Sequence, residues 1–375
     1  MENRHNSATW SLAWAYAVLI GYASLYPFAG WRDQGVNPVS FLLAPWPRYW
    51  SGFDLWTNLL GYAPFGCLLA LGWLRSGRSA VKAALGAIGT GVLFSLALEY
   101  LQIFLPSRVP SNLDLALNSA GAMLGAMAAL LLERCRLLVR WRRLRDAWVV
   151  SDARGALVLL ALWPWALLYP APVPLALGQV LERVEEAIAD WLAGTPYLEW
   201  LPLREIELQP LLPSVEWLCV SASALLPCLL AYSAIRAASK RLLSTALLLA
   251  AGMAVTALSA ALSWGPSTAW VWLTPPVLGG LCTALLLLVP LGRLPMRGCV
   301  VAAGVVLLVS LGLTNQAPAS PYFALTLQTW EQGRFIRFHG VVQWLSWCWP
   351  YLALLHLIKR WRSLRSTRRS LQSSA

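Results

Sequence analysis

The chain has 375 residues, of which 58% are hydrophobic and only 12% charged, with a mean hydropathy of +0.58. A soluble globular domain runs nearer one-quarter charged, so that class is excluded. The formal net charge of +12 would alone admit a nucleic-acid partner, but the order of the segments puts the basic residues elsewhere.

Apolar runs near the length that crosses a hydrocarbon core recur along the whole chain. They predict spans over 9–29, 54–74, 82–104, 113–132, 154–172, 214–235, 242–263, 269–291, 298–314 and 338–358. The expected fold class is all-α, a polytopic helical membrane protein with about ten transmembrane helices. The N-terminus has no short apolar stretch followed by a small-residue cleavage site, so it is expected to be retained.

An even number of spans puts both termini on one side. With the N-terminus inside, 22 of the 29 Lys and Arg fall on inner segments and 7 on outer ones. This positive-inside bias places both termini in the cytoplasm. The runs "RCRLLVRWRRLR" (134–145) and "KRWRSLRSTRRS" (359–370) then read as cytoplasmic anchors in contact with anionic lipid, not as nucleic-acid surfaces.

The acidic residues go the other way. Outer segment 182–207 carries Glu182, Glu185, Glu186, Asp190, Glu199, Glu205 and Glu207. Val180, Val184, Ala187, Ile188 and Trp191 recur there at helical spacing, which predicts a short amphipathic helix at the outer surface. It reads as a connecting helix in preference to a lid.

Of 22 Trp, several stand near predicted span ends: Trp31, Trp46, Trp50, Trp163, Trp165, Trp264, Trp347 and Trp349. They are expected to form the interfacial belt. The seven Cys (67, 135, 219, 228, 282, 299, 348) make no CxxC pair and are expected as packing residues. His5, His339 and His356 leave no His-rich metal site; no metal is assigned, and the residues specify no cofactor.

The expected organisation is a four-helix unit over 1–132, a basic linker over 133–153, and a second unit over 154–297 with an acidic outer loop at 173–213. Two further spans within 298–358 and a basic tail over 359–375 complete it. "GCLLALGWLRS" (66–76) aligns with "PCLLAYSAIRA" (227–237) at an offset of 161. That raises a degenerate 4 + 4 + 2 repeat, against chance similarity between Leu/Ala-rich helices.

Only the first unit carries a polar set. Asp54 and Asn58 are four residues apart and share a helix face, as do Asp114 and Asn118; Glu99 and Gln102 share one at a spacing of three. Gly121 and Gly125 continue the second stripe as GxxxG, which lets another helix pack close. Arg108 lies in the loop between the third and fourth spans. A carboxylate inside a span costs roughly 2.5–3.5 kcal/mol, so Glu99 needs a partner or a wet cavity, and Arg108 is the nearest opposite charge. Asp54 and Asp114 also read singly as helix caps, and Asn118 as interhelical glue. Together the residues form a candidate polar site near the outer leaflet. Its chemistry would suit a divalent cation, a sugar, or a phosphate partner of Arg108.

Three stretches resemble the VanZ-like family over about residues 10–132: "SLYPFAGWR", "APWPRYWSGFDLWTNLLGYAPFG" and "EYLQIFLPSRVPSNLDLALNSAGAMLGA". The last, read as E-x-x-Q, a following R, D-x-x-x-N and G-x-x-x-G, is the most specific. The family comprises bacterial multi-span membrane proteins, named for an accessory of glycopeptide (teicoplanin) resistance. The resemblance implies a bacterial inner membrane and a cell-envelope context. It marks Asp54, Asn58, Glu99, Gln102, Arg108, Asp114 and Asn118 as signature positions.

Three functions compete. The first is an accessory or binding protein that engages an envelope glycan, a lipid-linked sugar or a glycopeptide at the outer face. The second is an intramembrane enzyme on a lipid-linked precursor, with Glu99 as acid/base, Arg108 on phosphate and Asp114 beside them. Against it, no His, Ser or Cys constellation stands beside the carboxylates. The third is a transporter; against it, the second half offers no charged or broken-helix element to pair with the first.

Overall fold

The computed structural model describes residues 4–26, 28–37, 39–47, 52–150, 152–200, 208–318 and 336–373. Within these, the backbone alone is described at 4–8, 53–54, 138, 142, 186, 199–200, 336–339 and 366–373. Trp50, Glu205 and Glu207 lie outside the described residues, as do the side chains of Asp54, Glu186 and Glu199.

The first five helices are α1 (Arg4–Leu25), the short α2 (Ser40–Leu43), α3 (Gly52–Arg75), α4 (Ala80–Gln102) and α5 (Asn112–Arg134). Then come α6 (Leu137–Trp148), α7 (Arg154–Ala166), α8 (Leu181–Leu192) and α9 (Pro213–Tyr232). The last are α10 (Ala238–Trp264), α11 (Pro275–Leu291), α12 (Met296–Thr314) and α13 (Ile336–Ser373). Among the described residues seven of them (α3, α4, α5, α9, α10, α12 and α13) are long and apolar enough to cross a membrane, and α7 and α11 are apolar but shorter. Among the described residues there is no strand, only an isolated bridge between Val149 and Ile235. The chain is an all-α polytopic membrane protein, and each predicted span coincides with a helix. The acidic segment forms the amphipathic helix α8.

The chain divides into two compact units, Met1–Arg143 and Leu144–Ala375. In the first, α3 lies along α5, α4 packs against both, and α1 lies on α3. Glycine makes the α3–α5 contact close. A Cβ on Gly121 would strike the Leu59 carbonyl, one on Gly125 the Ala63 carbonyl, and one on Gly66 the Ala122 carbonyl. The GxxxG stripe thus packs backbone against backbone, where dispersion replaces the missing hydrophobic drive between helices in lipid. Ala13, Ala17, Tyr62, Phe65, Leu69, Ala87 and Ala126 fill the core beside it.

In the second unit α9 is the centre, buried continuously from Cys219 to Tyr232 between α11 and α12, while α13 packs on α7 and α12. The two C-terminal spans are therefore integral to this unit.

Several expectations need correcting. The fifth span was expected to run to 172, but α7 stops at Ala166 after 13 residues, about 20 Å and short of a ~30 Å hydrocarbon core. Pro170, Pro172 and Pro174 follow; none offers an N–H, and each pushes its predecessor towards extended backbone. The chain then runs irregularly yet buried through Val173, Leu175, Ala176 and Leu177. Such backbone persists at depth only where protein satisfies it. Ser259 Oγ donates to Leu168 O (2.8 Å) and Gln179 Nε2 to Ala317 O (2.7 Å). Asn315 Nδ2 donates to Gly178 O (3.1 Å), and Asn315 Oδ1 accepts from Val180 N (3.0 Å) and Leu181 N (2.9 Å). The second half therefore does contain a broken element.

Trp163 and Trp349 are core residues, each 1% exposed, not members of an interfacial belt; Trp349 Nε1 donates to Leu159 O (2.7 Å). Trp31, Trp46, Trp165 and Trp264 are exposed. Cys219, Cys228 and Cys299 are buried, whereas Cys135, Cys282 and Cys348 are exposed and do not serve as core packing.

Candidate functional site

The polar residues of the first unit gather where α3 and α5 begin and α4 ends. The loop from Ile103 to Ser111 sets their geometry. Ser111 has extended backbone (φ −137°, ψ 131°), and its side chain accepts from Leu113 N and Asp114 N, so Ser111 is the N-cap of α5. Asp114 is the third helical residue, and the expectation that it caps α5 is corrected. Asp54 likewise lies inside α3, two residues past its start at Gly52.

In a capping box the third helical residue would reach back to the cap's own N–H. Here Glu99 reaches across from α4 to that place: its Oε2 accepts from Ser111 N at 2.8 Å. Glu99 is 3% exposed, and it stands three residues from the end of α4, about 4.5 Å in. An anion at the N-terminus of α5 is favoured by the helix dipole, and a charge-assisted bond offsets part of its burial. Asp114 in turn accepts from Asn58 Nδ2 through Oδ1 (2.8 Å).

Arg108 and Gln102 serve the other end of the layer. Arg108 Nε and Nη2 donate to Tyr26 O (3.1 and 2.6 Å), and Nη2 also to Ala23 O (3.2 Å). Gln102 Nε2 donates to Ser24 O (3.1 Å). These bonds supply the last carbonyls of α1 with partners, as a helix C-terminus requires. Glu99 and Arg108, singled out as opposite charges, each have a backbone partner of their own.

One helical turn deeper lies a second polar layer. Asn118 Nδ2 donates to Ser95 Oγ (2.9 Å), and Tyr62 joins them from α3. Tyr62, Ser95 and Asn118 are 4%, 0% and 6% exposed. The Tyr62 hydroxyl stands beside Ser95, with Glu99 near by, yet neither it nor Asn118 Oδ1 makes a hydrogen bond of ordinary geometry among the described residues. An unmet buried polar group costs about 1–3 kcal/mol.

Sequence reasoning missed Tyr62 and Ser95. The signal was present: Tyr62 is four residues after Asn58, and Ser95 four before Glu99. Extending each polar stripe by one turn finds both. Asn58, Glu99, Asp114 and Asn118 come together at this end of the unit. Gln102 and Arg108 border it, and Gly121 and Gly125 hold the helices that form it. Among the described residues no group of three or more His, Cys, Asp and Glu is placed to share a metal ion. The described carboxylates of the set, Glu99 and Asp114, each already accept an N–H.

Residues 3–133 match the family model described as VanZ/LLP1. This is the family that the three sequence stretches resemble, and the match ends one residue before the end of α5. No curated protein and no solved structure matches the chain.

Proposed function

We propose that the first unit, in a bacterial inner membrane with its polar end outward, binds the hydroxyl-rich head group of an envelope glycan. A lipid-linked sugar is the favoured form and a glycopeptide the other candidate; the role is accessory. The observation that carries this reading is the pair of unmet atoms below the rim. A tyrosine hydroxyl that can donate and an amide oxygen that accepts suit a ligand hydroxyl, which does both.

Binding is preferred to catalysis on phosphate because Arg108, the group that would hold phosphate, already donates to two carbonyls at the end of α1. Binding is preferred to transport because the broken element at residues 167–180 belongs to the second unit, which lacks the polar set.

The test uses the full chain in lipid nanodiscs. Native mass spectrometry and thermophoresis would follow a polyprenyl-pyrophosphoryl disaccharide, polyprenyl phosphate without sugar, and teicoplanin. Tyr62→Phe and Asn118→Leu should each weaken the sugar-bearing ligand about tenfold, the worth of one hydrogen bond to a buried group, and leave polyprenyl phosphate unchanged. Equal affinity for the sugar-bearing and sugar-free lipids, or no loss in either variant, would rule the reading out.

A further inference from the structure

The basic run at 134–145 takes a form that the function above does not use. It is mostly helix: α6 covers Leu137–Trp148. On it Leu137, Trp141, Leu144 and Trp148 stand at i, i+4, i+7 and i+11, a single stripe along one face. Leu137, Trp141 and Leu144 are 42%, 61% and 50% exposed. Arg140 is exposed and borders the stripe on one side, Arg145, paired with Asp146 at 2.8 Å, borders it on the other, and Arg143 is exposed further round the helix. Residues 134–148 hold six arginines against one aspartate.

α6 is short and joined to apolar helices. It starts three residues after the spanning helix α5 ends. Its C-terminus is held at the turn between α9 and α10. Lys240 Nζ donates to Ala147 O (2.7 Å) and sits 5.3 Å over the Trp148 ring; Arg236 N donates to Trp148 O (3.2 Å) and Val150 N to Ala234 O (3.0 Å). At about 18 Å, α6 falls short of a ~30 Å hydrocarbon core, so it does not cross, and its apolar stripe suits a place along the surface.

We infer that α6 is an in-plane interfacial helix whose apolar stripe enters the bilayer and whose arginines bind anionic phospholipid headgroups. The juxtaposition selects this partner. Exposed Leu and Trp need hydrocarbon, and the arginines beside them, with long apolar stems, reach phosphate at the rim of that hydrocarbon. An anionic leaflet supplies both within one helix width, at about 1 kcal/mol, or fivefold, for each basic residue near the surface. Nucleic acid would leave the Leu and Trp stripe in water.

The test is amide exchange by mass spectrometry on the full chain, one copy per nanodisc. One set of discs is phosphatidylcholine alone, the other phosphatidylcholine with phosphatidylglycerol. Residues 137–148 should exchange more slowly in the anionic discs. The double variant Arg140→Gln/Arg143→Gln should lose about fivefold of that protection for each arginine, roughly 25-fold for the pair. Trp141→Ser should speed exchange in both lipids. Exchange in α9 serves as the folding control and should stay unchanged in all samples. The same exchange of 137–148 in both lipids overturns the inference, as does protection that survives the double arginine variant. Protection seen only when two copies share a disc assigns the stripe to a second copy and overturns it too.

Discussion

Replacing Gly125 with alanine puts one methyl group between the two most closely packed helices of the first unit. The new Cβ would collide with the Ala63 carbonyl oxygen and stand 2.7 Å from Cys67 N and 2.8 Å from the Ala63 carbonyl carbon. All are backbone atoms of α3 and cannot rotate away. Ordinary contact lies near 3.5–4.0 Å, so α5 must retreat by more than about 1 Å, and a gap of that size forfeits about half or more of each facing dispersion contact. Overpacking of this kind costs about 1–3 kcal/mol. Alanine's better helix propensity returns up to about 1 kcal/mol. The control is Gly89→Ala on α4, where a Cβ meets nothing within 4 Å and only the propensity gain remains. The two variants should differ by about 2 kcal/mol in unfolding free energy, with Gly125→Ala below and Gly89→Ala at or above wild type. Unfolding in mixed dodecyl maltoside and SDS micelles, followed by circular dichroism, measures both. If Gly125→Ala proves as stable as Gly89→Ala, the close α3–α5 contact is not the packing that holds this unit.

Tyr62→Phe should change stability by less than about 1 kcal/mol in the same assay, because it removes a buried hydroxyl that makes no bond of ordinary geometry; a clear loss would mean that the contact with Ser95 is a full hydrogen bond. Arg241, 5% exposed, donates to Ile235 O, Gly292 O and Leu294 O. Arg241→Met should cost about 3 kcal/mol by stranding these carbonyls, and Arg241→Lys should restore only part, since an ammonium lacks the guanidinium fork. A methionine variant of wild-type stability would refute the clamp. Asn315→Ala removes the bonds to Val180, Leu181 and Gly178. It should speed amide exchange of residues 178–184 roughly 30-fold, equivalent to about 2 kcal/mol, with α9 unchanged; a uniform rise across the second unit would show that the asparagine does more than pin this segment.

The sequence by itself determined where the long apolar helices are. Apolar runs of spanning length, separated by Pro, Gly and Arg, leave few other solutions in lipid, because every backbone group must be satisfied within its own helix. It also determined α8, whose acidic and apolar residues separate at helical period, and it drew attention to the end of the first unit where the polar set meets. The tertiary structure decided which apolar residues face protein. Lipid is as apolar as leucine, so a lipid-facing stripe and a buried one carry the same pattern; Trp163 and Trp349 in the core and Cys282 and Cys348 at the surface could not be told apart in advance. The structure also decided the partners of the polar groups. Glu99 caps α5 through Ser111 and Arg108 closes α1, because the unmet N–H and C=O groups at helix ends are created by the fold and appear in no side-chain pattern. The burial of Tyr62 and Asn118 arises the same way: α3 and α5 approach closely over Gly121 and Gly125 and cover groups that would be hydrated on an isolated helix.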